Sequence, residues 1–341
     1  MSSTNTPSTP SASVSESRAM SSTAPVSAAS PLPLRAKVPP AQPMKRHDPQ
    51  DADSPVVLTF FEKATCTWQY IIYDPKSLEA VIVDSVLDYD PPSGAVTTKT
   101  ADGLLSYIEE NGLKIKKILE THAHADHLTA AQYLKQQLGG DVSVGIGQRI
   151  GQVQKTFAPV YGYDDPAVFE NTFDHYFKDD ETFKLGDLSC QVVHLPGHTP
   201  DHVGYVIGKA IFTGDSIFNP DVGSARCDFP GGNAQDLFAS MQRLLSYPAD
   251  YRLFVGHDYP VDRDTLCSTT VGEQRESNKH VKVGTEEDSF VEWRRTRDAV
   301  LGAPRLLHPS LQVNIRAGKL PPADDKGRVW FKTPAKTELK L

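Results

Sequence analysis

The residues with the clearest chemical potential lie in the stretch HAHADH, residues 122–127. Imidazole nitrogen and carboxylate oxygen are common ligands of Zn²⁺ and Fe²⁺ in proteins. In an extended segment residues i and i+2 point the same way, so His122 and His124 are expected to converge on one point. Asp126 and His127 are expected to begin the next helix and to face a neighbouring point. The stretch predicts a metal centre and leaves the number of ions open.

Three later stretches have the same character, because each places a histidine or aspartate directly after a glycine. They are Gly197–His198 in PGHTPDH, Gly214–Asp215 in TGD and Gly256–His257 in GHD. Glycine allows tight backbone turns that aim the following side chain into a cleft. Together with the first stretch they make seven candidate ligands, and the recurrence indicates a metal site much more strongly than a single Gly-His pair would.

The elements that must position these ligands are short strands and amphipathic helices. Apolar runs rich in β-branched and aromatic residues precede each ligand stretch and predict strands. Helical periodicity is visible over residues 100–113, 233–248 and 285–303, and also after the first stretch, where Leu128 and Leu134 fall on one face. Strands and helices in this order predict a layered α/β fold with two sheets, helices outside, and the ligands along one edge of the sheets.

Residues 1–54 differ in composition from the rest of the chain. They are rich in Ser, Thr, Pro and Ala and have few large apolar side chains, so we expect a disordered N-terminal arm. A basic, acid-poor composition fits either an organelle transit peptide or a plain extension, and localisation is therefore expected to be mitochondrial or cytoplasmic. Residues 55–321 are predicted to form the catalytic domain and residues 322–341 a C-terminal tail.

The net charge and hydropathy of the sequence argue against several classes of partner. The formal net charge of −8 argues against nucleic acid as the main partner. The sequence has no apolar run of about 18 residues, so no membrane span is expected. Four widely scattered cysteines predict no disulfide framework. Homo-oligomer formation is left open.

The order and spacing of HAHADH, PGHTPDH, TGD and GHD resemble the metallo-β-lactamase superfamily over residues 56–260. This resemblance implies a four-layer αββα fold, in which two mixed sheets pack face to face with helices outside. It also implies a metal centre at the edge of the two sheets.

Three further stretches resemble the persulfide dioxygenase family, in particular its bacterial-type branch, which is related to glyoxalase II. They are GSARCDFPGG (223–232), TTVGEQRESNKHV (269–281) and HPSLQVNIRAGKLP (308–321). The resemblance implies oxidation of glutathione persulfide by O₂ to sulfite and glutathione, at one Fe²⁺ per chain.

The same resemblance assigns roles to individual residues. The iron ligands implied are His122, His198 and Asp215. Four other residues would surround the ligands and hydrogen-bond them: His124, Asp126, His127 and His257. Tyr259, Asp126 and His257 are expected to assist catalysis, Tyr259 by donating a hydrogen bond or else as a core tyrosine. Arg226 is expected to bind a glutathione carboxylate, or else to form an ion pair with Asp228.

Two alternatives compete with the dioxygenase. With two Zn²⁺, all seven candidate residues would be ligands, Asp215 would bridge, and the enzyme would hydrolyse a thioester in the manner of glyoxalase II. A metal-binding scaffold without catalysis is the other alternative, and the complete ligand motifs count against it.

Two remaining features carry open interpretations. Residues 157–182, long, acidic and aromatic, are expected to be a loop that either covers the glutathione site or is a surface insertion. Five histidines that are not among the seven candidate ligands are expected to be surface or core residues: His175, His194, His202, His280 and His308.

Overall fold

The computed structural model describes residues 38–335 and residue 337. Within them, the strands in chain order are β1 (Lys45–His47), β2 (Val56–Glu62), β3 (Thr67–Tyr73), β4 (Glu79–Val83), β5 (Val86–Asp90), β6 (Ala95–Thr97), β7 (Lys114–Leu119), β8 (Leu128–Thr129), β9 (Ser143–Gly147), β10 (His175–Phe177), β11 (Thr182–Leu185), β12 (Leu188–His194), β13 (Val203–Ile207), β14 (Ala210–Gly214), β15 (Arg252–Val255) and β16 (Ser268–Thr270). The helices are α1 (Lys99–Glu110), α2 (Ala131–Leu138), α3 (Ile150–Tyr161), α4 (Ala234–Leu245), α5 (Val271–Ser277), α6 (Glu287–Asp298) and α7 (Leu307–Asn314), with a 3₁₀ helix at Pro166–Phe169.

The strands form two large mixed sheets and one small sheet. The first has the order β1-β2-β3-β4-β7-β9-β10, antiparallel up to β4 and parallel from β4 to β10. The second has the order β11-β12-β13-β14-β15-β16, in which only β14 and β15 run parallel. A small sheet, β6-β5-β8, joins the loop after β7 to the segment after β4.

Successive side chains of a strand point to opposite faces of its sheet, so the two large sheets and the helices enclose three layers of apolar core. Ile71 packs between the first sheet and helices α1 to α3, whereas its neighbour Ile72 packs between the two sheets. Val192 likewise faces the first sheet, and Val193 packs with Leu237 of α4 on the outer side of the second sheet. The predicted four-layer αββα fold is therefore confirmed.

The prediction that residues 1–54 form a disordered arm is wrong for the last part of that segment. Lys45–His47 form β1, which adds to the edge of the first sheet by antiparallel pairing with β2. The backbone of Ala41 also donates to the carbonyl of Gly103 in α1, at 2.9 Å. An edge strand of three residues needs backbone hydrogen bonds and few apolar side chains, so composition could not reveal it. Residues 1–37 of the arm lie outside the described residues.

Two other expectations are corrected. The helix expected to begin at Asp126 begins at Ala131, because Leu128 and Thr129 first pair with β5. Residues 157–182 are not a plain loop: they contain the end of α3, a 3₁₀ helix and β10, which extends the first sheet. Phe157 packs into the apolar core between the first sheet and helices α1 to α3, so it does not cover an open site.

The last described residues run back over the domain: the backbone of Lys332 donates to Oε1 of Gln312 in α7. Among the described helices, none combines the length and apolar character required to cross a membrane.

Candidate metal centre

All candidate ligands lie just beyond the carboxyl ends of four strands. The first stretch follows β7 of the first sheet, and the other three follow β12, β14 and β15 of the second sheet. Because β14 and β15 are parallel neighbours, Asp215 and His257 are carried to the same sheet edge. The two sheets therefore place their reactive ends against each other.

The first group that could hold a metal ion consists of His122, His198 and Asp215. One ligand atom from each lies within 4.8 Å of the others. Nε2 of His198 is 3.6 Å from Oδ2 of Asp215, and the rings of His122 and His198 meet edge to face at 5.1 Å. All three side chains are buried. This is the set of three predicted iron ligands.

The second group consists of His124, Asp126 and His127, whose ligand atoms also lie within 4.8 Å of one another. His257 adjoins it, with Nε2 at 3.1 Å from Oδ2 of Asp126 and 3.5 Å from Oδ1 of Asp215. Asp215 thus directs one oxygen toward each group. The seven predicted residues are brought together, in an arrangement that one metal ion or two could use.

The hydrogen bonds of the imidazoles fit metal ligands. His122, His198 and His257 each direct Nδ1 to an acceptor: Oγ1 of Thr121 at 3.0 Å, the carbonyl of Arg226 at 2.8 Å and the carbonyl of Cys66 at 3.1 Å. Metal-bound histidines commonly bond through their other ring nitrogen in this way. Among the described residues, five buried atoms of the candidate ligands have no hydrogen-bond partner: Nε2 of His122, Nδ1 of His124, Oδ2 of Asp126, Nε2 of His127 and Oδ1 of Asp215. Buried polar atoms are rarely left unpaired, so the donor set fits a bound cation.

Two buried carboxylates beside the centre were missed by sequence reasoning. Asp84, between β4 and β5, accepts from the backbone and the hydroxyl of Thr121 and lies 3.1 Å from Nε2 of His124. Glu120 has Oε2 at 3.2 Å from the same nitrogen. Although burial opposes the charge, these carboxylates raise the pKa of His124 well above its usual value. Neither residue has a local motif that would have marked it.

Two other histidines of the centre, His122 and His127, have lowered pKa values. Burial lowers the pKa of His122 well below its usual value, and neighbouring imidazoles lower it further. Burial likewise lowers the pKa of His127 to about 3. A neutral imidazole keeps a lone pair for a metal ion, so burial prepares these side chains as ligands.

His202 was expected to be an ordinary core or surface residue, but it contacts two ligands. Its Nε2 accepts the backbone N–H of Asp215 at 3.0 Å, and its ring stacks on His122 at 4.7 Å. The second histidine of PGHTPDH therefore positions its neighbours.

Two of the three stretches that resemble the persulfide dioxygenase family support the ligands through backbone groups. In ARCDFPGG the carbonyl of Arg226 orients His198. In LQVNIRAG, the amide of Asn314 donates to the carbonyls of His124 and His127, at 2.8 and 2.7 Å, and accepts from the N–H of Thr129. Asn314 thereby fixes both ends of the second ligand group.

Space requires the glycine before each of the three later ligands, and two of these glycines lie against residues of the centre itself. A Cβ on Gly256 would lie 2.4 Å from Oδ1 of Asp215. Gly214 has a φ of +48°, and a Cβ there would lie 2.6 Å from Oγ1 of Thr121. Any side chain at either position would displace a residue of the centre.

The centre opens into a cavity of about 590 Å³, lined by Asp126, His198 and Asp215 on the metal side. Tyr259 also lines it, is 48% exposed and stacks on His257, so it is not a core tyrosine. Arg226 lines it too, but its guanidinium holds the Asp228 carboxylate through Nε and Nη2. The local ion pair that the sequence left as an alternative is therefore present. No residue of the 157–182 segment lines this cavity.

Comparison with known proteins agrees with this geometry. A family model described as the metallo-beta-lactamase superfamily matches residues 68–257, more than half of the chain. The chain belongs to the metallo-β-lactamase superfamily. A superfamily member from Dictyostelium discoideum, named Glyoxylase B2, is 46% identical over 278 residues, which are 81% of this chain and 95% of that protein.

Two other members of the superfamily carry a different name. Persulfide dioxygenase ETHE1 of Bos taurus is 29% identical over 276 residues, covering 79% of this chain and 92% of that protein. The crystal structure of ETHE1 from Myxococcus xanthus superposes with a TM-score of 0.62 at 25% identity, covering 77% of this chain and 99% of that one. These similarities confirm the metallo-β-lactamase fold and an enzyme of that superfamily with a His/Asp metal centre.

Proposed function

We propose that this protein is an Fe²⁺-dependent persulfide dioxygenase. The reaction consumes glutathione persulfide, O₂ and water, and releases glutathione, sulfite and two protons. The observation that carries the proposal is the convergence of His122, His198 and Asp215 within 4.8 Å beside an open cavity. Two histidines and one carboxylate on one face are the ligand set of non-haem iron oxygenases, and they leave coordination positions for substrate and O₂.

Features outside the ligands support the same proposal. ARCDFPGG and LQVNIRAG support the ligands, and both motifs resemble the persulfide dioxygenase family. The similarity to two proteins named ETHE1 adds to this support. Oδ2 of Asp126 lies 3.1 Å from Nε2 of His257, and that nitrogen lies 3.5 Å from Oδ1 of Asp215, so both residues adjoin the proposed iron ligands.

The chain's own residues have distinct tasks in the proposed reaction. Iron bound by the three ligands supplies the redox chemistry between O₂ and the outer sulfur. The cavity holds the persulfide beside the ligands, and the Tyr259 hydroxyl donates a hydrogen bond to it. Asp126 lines the cavity and contacts His257, so this pair can accept a proton released when water enters the product.

A binuclear Zn²⁺ thioester hydrolase is the second candidate. The second ligand group, and the position of Asp215 between both groups, would suit two ions. The name of the 46% identical relative, Glyoxylase B2, agrees with that alternative.

The experiment that separates the two begins with metal-free protein reconstituted anaerobically with one equivalent of Fe²⁺. We expect O₂ uptake on adding glutathione persulfide, with one sulfite formed for each O₂ consumed. The same protein loaded with two equivalents of Zn²⁺ is assayed for hydrolysis of S-D-lactoylglutathione. Hydrolysis by the zinc form, without O₂ uptake by the iron form, would replace the proposal with the second candidate.

A further inference from the structure

The cavity wall is positively charged, in contrast to the chain's net charge of −8. Five cationic side chains line it: Arg226, Lys279, Arg294, Arg297 and Arg305. Its two acidic lining residues, Asp126 and Asp215, both belong to the metal centre. A cavity with this distribution of charge favours an anionic ligand.

Two of the five cations are already engaged. Arg226 holds Asp228, and its Nη1 donates to the carbonyl of Gly302. Arg305 donates to the carbonyl of Ala64 at 3.3 Å. The carboxylate-binding role expected for Arg226 therefore has better candidates among the remaining three residues.

Arg294 is charged, only 4% exposed, and incompletely paired. Its Nη1 donates to the carbonyl of Ala225 and its Nη2 binds Asp298, whereas the buried Nε has no acceptor among the described residues. A buried donor without an acceptor is unfavourable. The guanidinium also lies over the ring of Trp293, with Cζ 4.7 Å from the ring centroid. The contact with Ala225 also anchors the loop whose next carbonyl orients His198.

Arg297 and Lys279 are both exposed. Within residues 38–335, neither side chain makes a hydrogen bond or an ion pair. Arg297 lies one helical turn after Trp293 on α6, so both are on one face of the helix. Trp293 is 39% exposed, lines the cavity and contacts the ring of His280, with the centroids 3.9 Å apart and the planes tilted by 41°. Charge and an apolar surface therefore occur together on this wall.

We propose that Lys279, Arg294 and Arg297, with Trp293 as the apolar surface, form a carboxylate subsite. It selects persulfides carried on a small anionic peptide thiol over uncharged persulfides. The inference rests on the proposed function only in taking the reacting group to be a persulfide. The subsite would recognise the peptide that carries this group in the same way in another glutathione derivative. Arginine suits this task because its planar donors match a carboxylate.

The test is a binding measurement with S-methylglutathione, which has the carboxylates of glutathione but no reactive sulfur. Calorimetry compares the wild type with the double variant Lys279→Gln/Arg297→Gln. Arg295→Gln is the matched control, because Arg295 is on the same helix but contacts Gln235 and lies outside this cavity. Arg294 is left intact, since its buried ion pair holds the fold.

We expect the double variant to bind S-methylglutathione about tenfold more weakly or worse, and the control to bind within about twofold of wild type. The diethyl ester of S-methylglutathione should bind equally to the wild type and the double variant. Unchanged affinity in the double variant, or an equal loss in Arg295→Gln, would overturn the subsite.

The binding measurement is independent of turnover. A wild type that binds S-methylglutathione through these residues but does not oxidise the persulfide would leave the subsite standing and remove the proposed function. If the wild type oxidises glutathione persulfide but the double variant binds S-methylglutathione normally, the proposed function stands and the subsite is refuted.

Discussion

Replacing Asp84 with asparagine would change one buried carboxylate that reaches both ligand groups. Asp84 accepts from Thr121, whose hydroxyl contacts Nδ1 of His122, and it also lies 3.1 Å from Nε2 of His124. The φ of Asp84 is +51°, a conformation that asparagine tolerates well, so the backbone should not be strained by the change. The variant therefore isolates the effect of the carboxylate.

The magnitude follows from the hydrogen bonds. Three donors face Asp84: the backbone N–H of Thr121, its hydroxyl, and Nε2 of His124. An asparagine offers one oxygen and one NH₂ group, so at least one of these donors loses its acceptor. Loss of one charge-assisted hydrogen bond costs about 1.5–3 kcal/mol. At about 1.4 kcal/mol for each tenfold change, metal affinity should fall by about 10- to 100-fold.

The assay is anaerobic competition for Fe²⁺ between the protein and a chromogenic chelator. Asp74→Asn is the matched control: Asp74 is also buried and accepts from Lys76 and Ser77 in the turn between β3 and β4, far from the ligand loops in the chain. It should lose stability without losing metal affinity. An Asp84→Asn protein that binds iron within about twofold of wild type would refute the role given to this carboxylate.

Three further predictions follow from individual contacts. Gly256→Ala should weaken metal binding by about tenfold or more in a competition assay, because the new methyl would lie 2.4 Å from Oδ1 of Asp215; unchanged binding would contradict the packing. Asn314→Ala should lower the free energy of unfolding by about 2–4 kcal/mol in a urea titration, since three buried hydrogen bonds are lost, and a loss below about 1 kcal/mol would contradict this. Burial, with Lys279 and Arg294, lowers the pKa of His280 to about 4. The unfolded chain therefore takes up this proton near pH 6.5, and stability falls from there toward pH 4. In His280→Gln, stability should fall less between pH 7 and pH 5 than in the wild type, and equal losses would show that His280 does not contribute.

The candidate ligands could be predicted because their signal is local. Each follows a strand, and glycine precedes three of them at positions where the structure leaves little room for a side chain. The supporting residues could not be found in this way. Asp84 meets His124 from a segment forty residues earlier in the chain, and no short sequence pattern indicates that contact. Glu120 lies only four residues before His124, but a single glutamate beside the ligand stretch is not a recognisable ligand pattern.

The fold shows the same division between local and non-local causes. Amphipathic patterns indicated the central strands and main helices, because an element that buries one face has apolar residues at regular intervals in its sequence. The start of α2 was misplaced because β8 forms through pairing with β5, about forty residues away in the chain. The role of Arg226 was open because its carbonyl, which any residue would supply, orients His198 while its side chain binds Asp228.

The central claim is a single iron held by His122, His198 and Asp215, and the most direct measurement is metal content per chain in two variants. Asp215→Ala removes a proposed ligand, whereas His257→Ala removes a residue placed beside the ligands. After reconstitution with Fe²⁺ and desalting, we predict about one iron in the wild type, almost none in Asp215→Ala and most of the iron in His257→Ala. Equal loss of iron from both variants, or two metal ions per wild-type chain, would contradict the account.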